Sequence, residues 1–285
     1  MRHRNNRAPA FRRAAQRGYS LIELSVAMLV ALFLLAGLLT VLEGTRKTSV
    51  SQSSLAQLQD DERIAMTMIT SVVEMAGYYP NADVALGNQV SDEFLAAAPF
   101  NTPGQVVFGM ANTTAAFGDV LVVRYKAGPN EDVINCQGTS NGANGTAVAY
   151  TNEFAVQQAD ATSPPYLACS TDGGKTFVKL VNNVTKLQVD FGIDSTEQSD
   201  NVFGMPVDGY VGISDPNTPS MANALAANPN QWTNVYSVKV QVTFVNPLYQ
   251  PIPNQPPVLG QPPTVTFTRV IGLMSRVGVD VTNVS

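Results

Sequence analysis

Nineteen consecutive residues without a charge, Leu24 to Leu42, constrain this chain more than any other stretch; only Ser25, Gly37 and Thr40 among them are not aliphatic, aromatic, Met or Ala. At ~1.5 Å of rise per helical residue the run matches a hydrocarbon core of ~30 Å. An ordinary secretory signal has an apolar stretch of about 7–15 residues ending in a small-residue cleavage site. This run is longer and has no such exit. Six of the 17 basic residues precede it (Arg2, Arg4, Arg7, Arg12, Arg13, Arg17), with no acid among residues 1–18. Such a flank stays cytoplasmic, which orients everything after Glu43 toward the periplasm. On hydropathy alone, a plain signal anchor accounts for these features equally well.

Without residues 1–18 the chain keeps 11 basic residues against 22 acidic ones, a net charge of −11. A domain this acidic repels phosphate, so the arginines read as a topological signal and no direct nucleic-acid binding is expected.

Helical character continues past the apolar run. No proline occurs between Tyr19 and Tyr79, and Gly77 followed by Pro80 predicts a C-terminal stop. Leu55, Leu58, Ala65, Ile69, Val72 and Ala76 keep one face apolar, with Glu62 as the one interruption, so the stripe is expected to pack on the protein's own sheet. The polar residues 45–54 mark where the helix leaves the bilayer and frays, and Gly37 and Gly44 are expected to loosen it by about 1 kcal/mol each relative to Ala.

Beyond Pro80 the period changes to two. Residues 105–110, 119–126, 147–156, 175–181, 184–193, 235–245 and 264–274 read as strands, with the cleanest alternation at Val238 to Phe244. The fold class expected is α+β: one long N-terminal helix, half membrane-embedded and half amphipathic, packed on an antiparallel sheet with long loops. Residues 194–234 read as a long surface excursion with a short helix at 221–227, and residues 246–263, with seven prolines, as an extended exposed connection.

Two residues refine the anchor. Glu23 sits at the edge of the apolar run, where an ionised carboxylate is costly and needs a partner or a function. Gly18 removes the side chain at a point where a protease must admit backbone. Here the string Arg17-Gly18-Tyr19-Ser20-Leu21-Ile22-Glu23-Leu24 resembles the class III signal of type IV prepilins and type II secretion pseudopilins, with Tyr19 in place of the commoner Phe. The resemblance implies cleavage between Gly18 and Tyr19 by a membrane aspartic prepilin peptidase, N-methylation of Tyr19, and a role for Glu23 in assembly. Physically, the new α-amine is a cation in an apolar environment that Glu23 of a neighbouring subunit neutralises.

Gly118 to Tyr125, Leu180 to Gly192 and the helix tail from Ile64 to Tyr78 look like PilW-type minor pilins. What this implies is a minor structural subunit that helps initiate a type IV pilus and is incorporated into it, supporting motility, adhesion or DNA uptake. The implied partners are other minor and major pilins, the prepilin peptidase, the inner-membrane assembly platform, and the inner membrane itself through residues 24–42. The implied organisation is a cleaved leader (1–18), a transmembrane assembly helix (19–43), its amphipathic continuation (44–77) and a periplasmic β-rich domain (78–285). Localisation follows as inner membrane with the N-terminus cytoplasmic, then extracellular pilus. A type II secretion pseudopilin and a pilus-tip adhesin remain as alternatives.

The remaining motifs point to structure. Cys136 and Cys169 are the only cysteines, and in an oxidising compartment a disulfide across 32 intervening residues is expected. Ser170 to Phe177 matches the Asp-box pattern Ser-x-Asp-x-Gly-x-Thr-aromatic, in which Asp and Gly shape a hairpin turn. Asp60-Asp61-Glu62 reads as a solvated cluster. The only histidine, His3, lies in the leader, which leaves no histidine-based triad or zinc site in a processed chain. No cofactor, metal or enzymatic activity is expected.

Overall fold

The computed structural model describes residues 18, 20–80, 90–129, 131–140, 147–193, 207–249 and 262–276. The leader up to residue 17, Tyr19, the first part of the excursion (194–206) and most of the Pro-rich connection (250–261) lie outside the described residues. Two compact units divide between Ser53 and Ser54.

Helix α1 spans Leu21–Glu74. In the first unit it leaves its apolar side chains exposed, Phe33 by 77% and Leu34 by 70%. Residues 45–54, where fraying is expected, are helical instead. The reason is local: Thr45 Oγ1 donates to the Val41 carbonyl (2.9 Å) and Thr48 Oγ1 to the Gly44 carbonyl (3.0 Å), so these hydroxyls bond back onto the helix rather than competing with it. Gly37 and Gly44 both lie within the continuous helix.

In the second unit, short helix α2 (Val90–Glu93) precedes two antiparallel sheets, not the single sheet expected from the sequence. The first contains β1 (Val107–Ala111), β2 (Asp119–Ala127), β3 (Val148–Gln157), β4 (Tyr166–Ser170) and β5 (Val178–Asn182) in that order. The second contains β6 (Val184–Ile193), β7 (Gly209–Gly212), β8 (Val235–Val245) and β9 (Thr264–Gly272) in the order β7-β6-β8-β9. Between β5 and β6, Asn183 adopts φ +59°, a left-handed conformation that turns the chain, after which β6 builds its ladder with β8. Alternation along a strand specifies which face is buried, and says nothing about which edge it pairs with.

The helix stripe packs into the core as expected, with Leu58, Ala65, Ile69, Val72 and Ala76 buried, and it is widened by Met66 and Val73. Leu55 stays 39% exposed at its margin. These side chains share one cluster with Leu121, Val123 and Tyr125 of β2 and Leu187, Val189, Val240 and Val242 of the second sheet. On the other face of the first sheet, Val120, Val122, Ala155 and Phe100 form a second, smaller cluster. Strand β2 is covered on both faces, which is why its burial is nearly continuous.

The helix ends where Gly77, at φ +76°, adopts a conformation that favours glycine. Its N–H donates to the Arg124 carbonyl (3.0 Å), while the Lys126 N–H donates to the Tyr78 carbonyl (2.8 Å), which ties the end of α1 to β2. From beyond β9, Ser275 Oγ donates to the Ala76 carbonyl at 2.6 Å.

The excursion is a second correction in that its described part contributes strand β7, which pairs with β6; helix α3 (Met221–Ala227) forms where expected, and Ser220 caps it through Oγ accepting from the Ala222 N–H at 3.1 Å. Trp232 is buried, its ring 4.9 Å from that of Phe191 on β6 and 5.3 Å from that of Phe108 on β1. One aromatic side chain thus joins the two sheets, and Gly109 on β1 leaves room for the Phe191 ring that Trp232 packs against, since a Cβ there would stand 2.6 Å from that ring. Strand β4 carries no period-two signal in the sequence, because Leu167, Ala168, Cys169 and Ser170 are all buried. Strand β5 begins at Val178 rather than Lys175 because the Lys175 and Thr176 N–H groups are held by Asp172.

Candidate processing and assembly site

The N-terminal site is built on the first turn of α1. The Ser20 carbonyl accepts from the Glu23 N–H (3.0 Å) and the Leu24 N–H (3.2 Å), the opening bonds of the helix. Glu23 stands in that turn, where unpaired N–H groups and the helix dipole favour a carboxylate. Its side chain is exposed. Gly18 is exposed as well, and a Cβ placed on it would meet nothing within 4 Å. Both residues therefore belong to one accessible segment at the head of the helix; Tyr19, the residue between them with an expected role, lies outside the described residues.

From Leu21 to Leu42 none of the apolar side chains is buried, and the helix is long and apolar enough to cross a membrane. Its polar groups are settled internally: Ser25 Oγ donates to the Leu21 carbonyl at 2.9 Å, and Thr40 Oγ1 to the Gly37 carbonyl at 2.7 Å. That arrangement is what a surface facing hydrocarbon requires. In water, exposed apolar area costs about 25 cal/mol per Å², so a helix of this composition needs lipid or other helices around it.

The sequence motifs of the second unit serve its architecture. Cys136 and Cys169 form a disulfide with Cα atoms 6.3 Å apart, tying the segment after β2 to β4. Replacing both cysteines by serine is expected to lower stability by about 3–4 kcal/mol in the loop-entropy account, checked by denaturant unfolding of the full chain in detergent; a loss below about 1 kcal/mol would show that the loop is constrained without it.

The Asp-box forms the β4–β5 turn. Asp172 Oδ1 accepts from Ser170 Oγ (2.6 Å) and from the Lys175 and Thr176 N–H groups (3.0 Å each), and these bonds, that of Ser170 first, hold its carboxyl well below the usual range. Gly173 and Gly174 both adopt positive φ, and Gly174 approaches Glu153, whose carboxyl would lie 2.9 Å from an added Cβ. Burial, followed by the negative charge of Asp172, pushes Glu153 up.

Sequence reasoning missed three charged side chains that organise this unit. Arg124, buried on β2, donates through Nε to the Gln105 carbonyl (2.7 Å), through Nη1 to that of Leu95 (2.8 Å) and through Nη2 to that of Phe94 (3.1 Å). Its guanidinium also lies 4.3 Å from the centre of the Phe100 ring. Burial lowers its pKa to about 10, so it stays charged at neutral pH. A charge in the middle of the run from Val120 to Tyr125 was the available signal. Asp190, fully buried on β6, pairs with Lys239 Nζ at 2.7 Å.

Asp119 is the third. Fully buried at the start of β2, it accepts the Val189 N–H of β6 at 2.9 Å through Oδ2, while Oδ1 has no partner, and so it links the two sheets. Burial raises its pKa above the ordinary 3.8, against the lowering effects of Ser214, the Val189 N–H and Lys186. The folded state therefore binds this proton more tightly than the unfolded chain, and the contribution of Asp119 to stability is lost as pH rises through the folded pKa. Asp119→Asn keeps an acceptor for Val189 and removes the buried charge. The difference in Tm between variant and wild type is expected to shift in the variant's favour from pH 4 to pH 7; thermal unfolding across that range checks it, and a constant difference would exclude a titrating Asp119.

Among the described residues no group of three or more His, Cys, Asp or Glu side chains is placed to hold a metal ion. Glu62, half-buried, and the exposed Asp60, which pairs with Arg63 at 3.1 Å, belong to the helix surface.

The chain thus combines an apolar, unpartnered N-terminal helix with a following pair of antiparallel sheets. Residues 13–39 match the family described as the prokaryotic N-terminal methylation motif, a segment that includes Gly18, Tyr19, Glu23 and most of the apolar run. Among solved structures, a type IV-like pilin from Thermus thermophilus matches with a TM-score of 0.35 and 10% identity, over 78% of this chain and 99% of that one. No curated protein matches the chain significantly.

Proposed function

We propose that this chain is the precursor of a PilW-type minor pilin: it is held in the inner membrane by residues 19–43, cut between Gly18 and Tyr19, methylated at Tyr19 and built into a type IV pilus. The observation that carries this reading is the coincidence of the methylation motif with a helix whose apolar surface is unpartnered from Leu21 to Leu42. Lipid covers that surface in the precursor, and the helices of neighbouring subunits cover it in the filament. The leader arginines hold the N-terminus in the cytoplasm during insertion and place residues 78–285 in the periplasm. After cleavage the α-amine of Tyr19 is drawn to Glu23 of an adjacent subunit, a pairing that sets register more than it adds stability, because desolvation offsets much of the attraction. The protein acts through contacts with other pilins rather than through catalysis, and residues 44–77 connect the assembly helix to the β-rich domain.

N-terminal sequencing of this subunit from purified sheared filaments tests the proposal. N-methyl-Tyr19 is the expected first residue. An intact Met1, a cut after residue 43, or absence of the subunit from filaments would each overturn it.

A further inference from the structure

Among the described residues the two sheets present four edge strands, and three of them are short: β1 and β5 have five residues each and β7 has four. Strand β9 has nine, pairs with β8 in unbroken register from Thr264 to Gly272, and contains neither proline nor lysine. Both ends of this ladder show which way its groups point. The Leu273 N–H donates to the Tyr236 carbonyl and the Asn246 N–H to the Pro263 carbonyl, each at 2.9 Å. The odd-numbered residues of β9 therefore bond to β8, and alternation turns the N–H and carbonyl groups of Thr264, Thr266, Thr268, Val270 and Gly272 outward. No group among the described residues bonds to that row. Thr266 and Thr268 are exposed, and Val270 is exposed by 54%. Sheets blunt such an edge with brevity, proline, lysine or a bulge, and β9 has none of these. Its one charge, Arg269, lies on the inner row and reaches the Thr70 hydroxyl of α1 at 3.4 Å.

We infer that this edge pairs antiparallel with the same edge of a second copy of the chain, about a two-fold axis at Thr268, and so joins the second sheets of both copies into one. Length selects this occupant, because the other described edges are about half as long. Two-fold pairing sets Thr268 opposite Thr268, Thr266 opposite Val270 and Thr264 opposite Gly272, so every outward residue meets an outward residue. On the inner row Val265 faces Ile271 of the second copy, and Phe267 faces its Arg269. The two Arg269 side chains then stand diagonally rather than directly opposite, and each guanidinium is brought beside a Phe267 ring. The charge that would obstruct an unrelated apolar strand is thus accommodated by this one. The inference does not depend on the pilin reading.

Cysteine cross-linking of the full chain in membranes tests it, with the Cys136–Cys169 disulfide left intact. In the paired arrangement the two Thr268 Cα atoms lie about 5.5 Å apart, within disulfide reach, whereas Thr266 and Val270 each lie about 13 Å from their own equivalents. Mild oxidation of Thr268→Cys is therefore expected to give a covalent homodimer as the main product, with roughly tenfold less from Thr266→Cys or Val270→Cys alone. Co-expressed Thr266→Cys and Val270→Cys chains carrying different tags should cross-link to each other. Adding Thr268→Lys to both chains sets two ammonium groups opposite each other at the axis and should abolish that product. Equal cross-linking from all three single variants would show that the copies meet only through their apolar helices. That result, no homodimer from Thr268→Cys, or a Thr268→Cys cross-link to a different protein alone would each overturn the inference.

Discussion

A Glu23→Val chain is expected to be cut and methylated like the wild type yet to be almost absent from filaments. In the proposed processing, cleavage would act on the backbone after Gly18 next to the basic leader, neither of which the substitution touches. In the proposed filament incorporation would need more, because the helix would pack among apolar neighbours with a cationic N-terminus at its head. Glu23 is exposed in the first turn of α1 and is the only acid between the leader and Glu43. Without it, an amine enters an apolar surround unneutralised, at a cost on the order of a few kcal/mol. That is enough to shift a subunit from mostly incorporated to mostly excluded, since about 1.4 kcal/mol corresponds to tenfold. Immunoblots of membranes show processing as a size change, and immunoblots of sheared filaments show incorporation. Normal levels in the filament fraction would remove Glu23 from the assembly mechanism.

The largest expected effect on folding comes from Arg124→Met. The methionine retains much of the apolar stem volume but leaves the carbonyls of Gln105, Leu95 and Phe94 without the donors they have now. Each buried acceptor left unpaired costs about 1–3 kcal/mol, and partial entry of water into the 94–105 segment reduces the total, so a loss of about 3–5 kcal/mol is expected. Arg124→Lys, with a single ammonium in place of the fork, should recover only part of it. Denaturant unfolding of the full chain in detergent measures both variants. A loss below about 1 kcal/mol for Arg124→Met would mean that the 94–105 segment is held without the guanidinium.

Periodicity made much of the fold legible. Strands β6 and β8 have the expected boundaries, as does helix α3, and α1 runs to within three residues of the stop at Gly77. These are elements whose own residues carry a strong repeat or cap: Val238, Val240, Val242 and Phe244 are all buried, while Lys239, Gln241 and Thr243 between them are partly exposed. Where the local signal was weak, sequence reading failed. Strand β7 is Gly209-Tyr210-Val211-Gly212, too short and glycine-rich to announce itself, and it exists because β6 offers an edge from Asp190 to Ile193. Trp232 sits in a polar stretch and became a core residue only through Phe108 and Phe191, which come from different sheets. The Asp-box was legible in full, since its hydrogen bonds span four residues or fewer.

The candidate site divides in the same way. Gly18, Tyr19, Glu23 and the uncharged run after them are local in sequence, and their chemistry depends on spacing along the chain. The sequence by itself therefore determined the methylation motif, the apolar helix and the α+β class. Only the tertiary structure decided that the strands form two sheets, that Trp232 and Asp119 join them, and that Arg124 is satisfied while the Nε of Arg276 is not. The physical reason is range: a helix and its first turn close their hydrogen bonds within four residues, whereas an inter-sheet contact or an unpaired buried donor is defined by groups from distant parts of the chain.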